Sequence, residues 1–157
     1  MNAEQKNLDS RQARSEATKH SLMRAAEQLI ADRGMENVSI SDIVSAAKQK
    51  NQSALQYHFA NLRGLIEAVL DERAEQTNTR RSELLAAITA RTTEPTLREV
   101  CLLMVYPAFS LARESSEFHN YVKAFGHQLV LSEASLKPII RRHSGGGASG
   151  QRTRELL

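Results

Sequence analysis

With 157 residues, 41% of them hydrophobic, and a formal net charge of +3, the chain has material for one ordinary core or two small adjoining ones. No run of eighteen apolar residues is present to cross a membrane, charges interrupt the first thirty residues where a secretion signal needs its apolar stretch, and the single cysteine, Cys101, excludes an internal disulfide or a paired-thiolate zinc site. The expectation is a soluble, cytoplasmic protein. Net charge by itself says nothing about partners, because residues 1–140 balance at 17 basic and 17 acidic side chains and the excess comes from Arg141, Arg142, Arg152 and Arg154.

Met1 to Arg14 is polar, holds an isolated Leu8 and shows no apolar period, so it reads as a disordered arm, a solvated terminus whose Lys6, Arg11 and Arg14 could lie along a minor groove when DNA is present. From Ser15 to Arg33 the apolar set Leu22, Ala25, Ala26, Leu29 and Ile30 follows helical spacing, and Gly34 closes the helix. His20 on this helix has no second ligand one turn away and reads as a surface residue.

The stretch from Ser39 to Phe59 organises the rest. Ser39 followed three residues later by Asp42 is a helix-start signature, and Ile40, Ile43, Val44 and Ala47 give one apolar stripe. Lys48 to Asn51 contains no apolar residue, and Asn51 is placed to cap a second helix from Gln52. In that helix Leu55 and Phe59 face inward. Gln52, Ser53, Gln56 and Tyr57 are left outside, a set that hydrogen-bonds without charge and suits base edges and phosphate oxygens.

Gly34, Asp42-Ile43 and the run Gln56-Tyr57-His58-Phe59 together resemble the DNA-binding domain of TetR-type transcriptional regulators, over roughly Ser15 to Leu70. Within that family the chain is most similar to the branch whose recognition helix reads Asn/Gln-Ser-Ala-Leu-Gln-Tyr-His-Phe. The resemblance implies a repressor that binds a double-stranded operator and lets go when a small-molecule effector shifts the spacing of two reading heads. Carried onto this sequence, Gln52, Ser53 and Gln56 become the base-reading candidates. Lys48, Lys50, Asn51 and Tyr57 become backbone anchors, with Gln49 and His58 alongside, and Ser39 offers its amide and hydroxyl to a phosphate. The family's glycine at the start of the turn is Lys48 here, and a positive φ there would cost about 1 kcal/mol or more. A basic residue usual after the motif is replaced by Leu62, with Arg63 beside it.

Asn61 can cap a further helix through Leu62, Leu65, Ile66, Val69 and Leu70. The polar run from Asp71 to Arg81, free of glycine and proline, reads as a solvated linker helix that regains apolar residues at Leu84, Leu85 and Ile88. Thr96 to Glu99 matches a capping box, and the following helix is apolar on so many sides that it should be central, with a bend at Pro107. Apolar neighbours make Cys101 a buried, inert thiol. The resemblance implies a ligand pocket in this region, with Met104, Tyr106 and Phe109 as one wall. Glu117 to Ser132 forms another amphipathic helix with Phe118, Tyr121, Val122, Phe125 and Leu129 on one face. His119 and His127 on it have no carboxylate placed to make either a base. Ser132 to Ile140 begins a short helix interrupted by Pro138, and residues from Ser144 are glycine-rich.

The resemblance also implies two more long helices forming a four-helix dimer interface, which this sequence does not show. The expected fold is therefore all-α: an arm at 1–14, a helix-turn-helix domain at 15–70, an incomplete helical ligand and dimerisation domain at 71–140 and a flexible tail at 141–157. A homodimer follows from the family. The competing reading is an interaction module that pairs with a full-length relative without binding DNA productively alone. No carboxylate pair, nucleophile triad, phosphate loop or metal spacing supports an enzyme, a cofactor or a metal.

Overall fold

Between residues 3 and 33 the sequence holds neither glycine nor proline, and the chain is one helix there, α1 (Ala3–Arg33). The structure, a computed structural model, describes residues 3–92 and 94–131, and with side chains from residue 5 to 126 apart from 93. The arm expected at 1–14 is thus helical over its described part. Apolar periodicity could not reveal it, because residues 5–14 are exposed on every side. Local bonding and propensity hold them instead. Arg14 donates from Nε to the Ser10 carbonyl and from Nη2 to the Ser10 hydroxyl, both at 3.1 Å, and the Thr18 hydroxyl donates to the Arg14 carbonyl at 3.0 Å. A helix already nucleated by the packed segment around Leu22 extends outward at little cost.

Among the described residues the fold is all-α with no strand: α1, a 3-10 turn (Met35–Asn37), α2 (Ile40–Ala46), α3 (Ser53–Phe59), α4 (Leu62–Thr89), α5 (Leu97–Glu114) and α6 (Ser116–Leu131). The chain divides into two compact units, Met1–Val69 and Leu70–Leu157. Expectations for residues 132–157, the helix at 132–140 and the tail at 141–157 among them, lie outside the described residues.

In the first unit Gly34 ends α1 at φ +80°, its amide donating to the Ile30 carbonyl at 2.9 Å. The Ser39 capping box then starts α2 as expected: the Asp42 amide donates to Ser39 Oγ at 3.1 Å and the Ser39 amide returns to Asp42 Oδ2 at 3.0 Å. Leu22 and Met23 of α1, Ile43 of α2, Leu55 of α3 and Leu65 of α4 close a common core. Each such side chain contributes roughly 1.5–3 kcal/mol on burial.

The second unit departs further from expectation. The run 71–81 is helical but not simply solvated, because Arg73 and Arg81 are almost fully buried. Arg73 lies over the Phe118 ring at 5.4 Å, with Glu117 at 3.8 Å, and donates to Gln76 at 2.9 Å. Arg80 grips Glu114 of α5 through two bonds of 2.9 and 2.6 Å and reaches the Ser110 hydroxyl at 3.2 Å. Guanidinium groups with satisfied partners therefore serve as packing groups on this helix.

Helix α5 begins at the expected box, with the Thr96 amide donating to Glu99 at 2.9 Å, and passes through Pro107. It is not central on all sides. Val100, Leu103, Pro107 and Ser110 form its buried face, Leu103 packing with Leu85 and Ile88 of α4. The opposite face leaves Leu102, Val105, Tyr106 and Phe109 exposed, and Cys101 with them, so the expected buried thiol is exposed. The helix has its covered side fixed by α4 and α6, and Cys101 falls one position past that side. On α6, Phe118 and Phe125 are buried, whereas Val122 and His119 are exposed.

Candidate nucleic-acid interface

Helices α2 and α3, with the turn between them, form the candidate interface, and α1 packs against them. The turn is pinned at the Ala47 carbonyl, which accepts from the Ser21 hydroxyl of α1 and from Gln49 Nε2, both at 3.1 Å. Ser21, a lone polar residue at the edge of an apolar stripe, gave no sequence signal of this role. Gln49, a candidate DNA contact, has its side-chain amide turned back onto the turn.

Next to it Lys48 sits at φ +56°, the left-handed conformation that the sequence comparison with a glycine made costly for lysine. Its side chain and that of Lys50 are exposed. Helix α3 starts at Ser53 rather than Gln52. Gln52 occupies the cap position with no side-chain bond, and the capping is done by Asn51, whose Oδ1 accepts from the Ser53 amide at 3.1 Å and from the Ser53 hydroxyl. The Ser53 hydroxyl proton is thus committed, and only its acceptor capacity faces outward.

On α3 the inward pair is Leu55, with no exposed surface, and Phe59 at 7%. Gln52, Gln56 and Tyr57 are exposed, Tyr57 to 81%. Neither Gln52 nor Gln56 spends its amide group on a bond among the described residues. His58 is half-buried, with its ring 5.0 Å from Tyr57 edge-on and 5.9 Å from Phe59, so it spaces these aromatics rather than projecting freely.

Helix α3 ends at a tight reversal. Ala60 has φ +62° and ψ −44°, and the Asn61 amide donates to the Phe59 carbonyl at 2.7 Å, which is a γ-turn of the positive-φ kind. Asn61 Oδ1 accepts from the Gly64 amide at 3.0 Å and starts α4 as expected. A Cβ at Gly64 would stand 2.1 Å from that same Phe59 carbonyl, so glycine alone lets α3 and α4 approach this closely.

Two candidates are engaged elsewhere. Ser39 has both its amide and its hydroxyl on Asp42, whose carboxyl is held below its ordinary range first by the Ser39 hydroxyl and then by its amide. Arg63 pairs with Glu67 at 3.2 Å on the exposed side of α4.

In the second unit Met104, Tyr106 and Phe109 are exposed on α5. They do not line the open depression of about 440 Å³ bounded by Glu72, Glu75, Gln76, Thr79, Arg80 and Leu111. Burying Leu103 and Pro107 turns these three residues outward. No described helix is long and apolar enough to cross a membrane.

Two short helices set by a pinned turn, the second presenting an uncharged hydrogen-bonding face, define a helix-turn-helix unit. Residues 22–69 match the family model described as "Bacterial regulatory proteins, tetR family", so this segment is similar to a TetR-type helix-turn-helix domain. The fold is similar to the crystal structure of a TetR family transcription regulator from Marinobacter aquaeolei VT8, with a TM-score of 0.62 and 18% identity, covering 92% of this chain and 70% of that one. At that identity the likeness shows a shared fold. No curated protein matches the chain.

Proposed function

We propose that the chain is a sequence-specific transcriptional regulator, acting as a repressor, that lays α3 in the major groove of its operator. The observation that carries this is the outward comb of Gln52, Gln56 and Tyr57 on a helix locked from behind by Leu55 and Phe59. Gln52 and Gln56 read base edges as paired donors and acceptors, with Ser53 as an acceptor. Tyr57, Lys48 and Lys50 anchor the flanking phosphates, and Asn51, Gln49 and Ser39 act mainly by shaping the turn and helix ends. The TetR-type match over residues 22–69 supports the assignment.

A palindrome is read by two heads, and we further propose that two chains pair to supply them. The exposed apolar face of α5, with Val105 69% and Phe109 53% exposed, supports pairing. The same face supports the second reading, an interaction module that engages a longer relative. Gel shift on DNA upstream of the chain's own coding sequence tests the regulator: Gln56→Ala with Tyr57→Ala should abolish the specific complex, and unchanged binding removes the assignment. Light scattering separates the readings, since a stable homodimer supports the regulator and a monomer binding only a longer homologue supports the module.

A further inference from the structure

Beyond the major-groove contact, and resting on that reading, we propose that the N-terminal extension of α1 is a second, sequence-independent contact to duplex DNA, in which Lys6, Arg11 and Arg14 meet backbone phosphates. The extension is helical rather than an irregular arm, so the helical repeat sets where its charges lie relative to the turn. At 3.6 residues per turn, Lys6, Asn7, Ser10, Arg11, Arg14 and Thr18 fall on one side of α1 over residues 5–19. Asp9 and Glu16 fall on the other side, where Glu16 takes Lys19 at 3.9 Å. Over residues 5–19 the extension carries four basic side chains, Lys6, Arg11, Arg14 and Lys19, against two acidic ones, and only Lys19 shares the side of Asp9 and Glu16.

The basic side is the side that carries Ser21, the residue hydrogen-bonded to the Ala47 carbonyl where the turn begins. Stepping back from Ser21 one turn at a time leads through Thr18, Arg14 and Arg11 to Asn7, with Lys6 at the edge of the same side. Arg14 therefore stands about 10 Å, and Lys6 about 22 Å, along the helix axis from the point where α1 meets the turn. Lys48 and Lys50 lie in the turn itself, so the extension continues their positive strip. Lys6 and Arg11 make no ion pair among the described residues, and Arg14 spends its bonds on the neutral Ser10. Three cations held on one face without carboxylate partners suit a polyanion with regularly spaced charges. The hydroxyls that share this face donate within the helix, Ser10 to the Asn7 carbonyl and Thr18 to the Arg14 carbonyl, so the cations contribute affinity without sequence preference.

The test is the salt dependence of binding to mixed-sequence double-stranded DNA, measured by fluorescence anisotropy on the full chain. Three phosphate contacts predict that Lys6→Gln, Arg11→Gln, Arg14→Gln together lower the slope of log affinity against log salt by about 2 to 3. Binding ranks among different sequences should stay as they were. A second variant holds net charge constant by exchanging Lys6 with Gln5 and Arg11 with Gln12, which moves two cations to the acidic side; its slope should fall by about 2. Circular dichroism checks that the helix persists in both. A wild-type slope retained by either variant overturns the proposal and leaves the α3 reading standing, provided Lys48→Gln with Lys50→Gln still lowers it. A wild-type chain with no affinity for duplex DNA overturns both.

Discussion

The Nε of Arg81 donates to the main-chain carbonyl of Leu103 at 3.0 Å, and Arg81 keeps only 5% of its surface exposed. Leu103 is four residues before Pro107, so its carbonyl is the one that the proline ring leaves without a helical donor. A cation from α4 thus fills a vacancy made within α5. Asn78 orients the guanidinium by accepting from Nη1 at 2.6 Å.

Replacing Arg81 with methionine should lower stability by about 2 kcal/mol, because a buried carbonyl loses a charged donor. Pro107→Ala supplies an amide to the same carbonyl. In that background the cost of Arg81→Met should shrink by about 1 kcal/mol, a coupling that a double-mutant cycle by urea unfolding reads directly. Equal costs in the two backgrounds would show that the arginine acts through burial alone.

The junction of α3 and α4 makes a second prediction. Gly64→Ala drives a methyl into the Phe59 carbonyl and should destabilise by about 2 kcal/mol or more, since backbone has to move. Ala60→Gly relieves a positive φ and should stabilise by about 1 kcal/mol. Opposite signs in thermal unfolding, four residues apart, are the signature of the γ-turn. Destabilisation by both would place the turn elsewhere.

What the sequence made legible follows from how local each cause is. The two capping boxes, the Asn61 cap and the inward pair Leu55 and Phe59 are set within a turn of helix, and all stand where the spacing put them. Asn51 caps α3 as its place in the sequence implies, and Gln52 after it already has helical φ and ψ. Tertiary causes stayed hidden. Charge at Arg73 and Arg81 reads as solvation until α5 and α6 supply partners, and an all-round apolar α5 does not announce which side will be covered. For residues 5–14 the missing signal was hydrophobic, although their composition already favoured helix.

Three carboxylates should make the protein less stable in acid. Asp42 is held below the ordinary carboxylate range by Ser39, Glu99 by the Thr96 amide and hydroxyl, and Glu114 by the Arg80 guanidinium. Each is protonated in the unfolded chain at a higher pH than in the folded one. Their stabilisation is therefore complete above about pH 5 and disappears as pH falls through the lowered folded values. Asp42→Asn, Glu99→Gln and Glu114→Gln should each lower the unfolding temperature at neutral pH and converge with the parent in acid. A constant offset at all pH values would mean that the lost contact is not ionic.

Cys101, exposed on α5 beside Leu102 and Val105, should react with a chromogenic disulfide reagent in the native state. Its rate should approach that of the urea-unfolded chain, and Cys101→Ser should change stability by no more than about 0.5 kcal/mol. Protection in a concentration-dependent manner would report pairing through this face. Protection at every dilution would contradict the orientation of α5.

Lys48 combines a strained backbone with an exposed cation at the turn, so under the proposed function one substitution should move two observables in opposite directions. Its φ of +56° is a conformation that glycine adopts freely and lysine does not. Lys48→Gly should therefore raise stability by about 1 kcal/mol. The same change deletes a cation beside the pinned Ala47 carbonyl, where the turn would meet a phosphate. Affinity for DNA should fall for all sequences alike, and the salt slope by about 1. Backbone strain of this kind clusters at sites that bind a partner. A glycine variant that is more stable and binds as well as the parent, with an unchanged slope, would remove Lys48 from the interface and leave its strained backbone without a use.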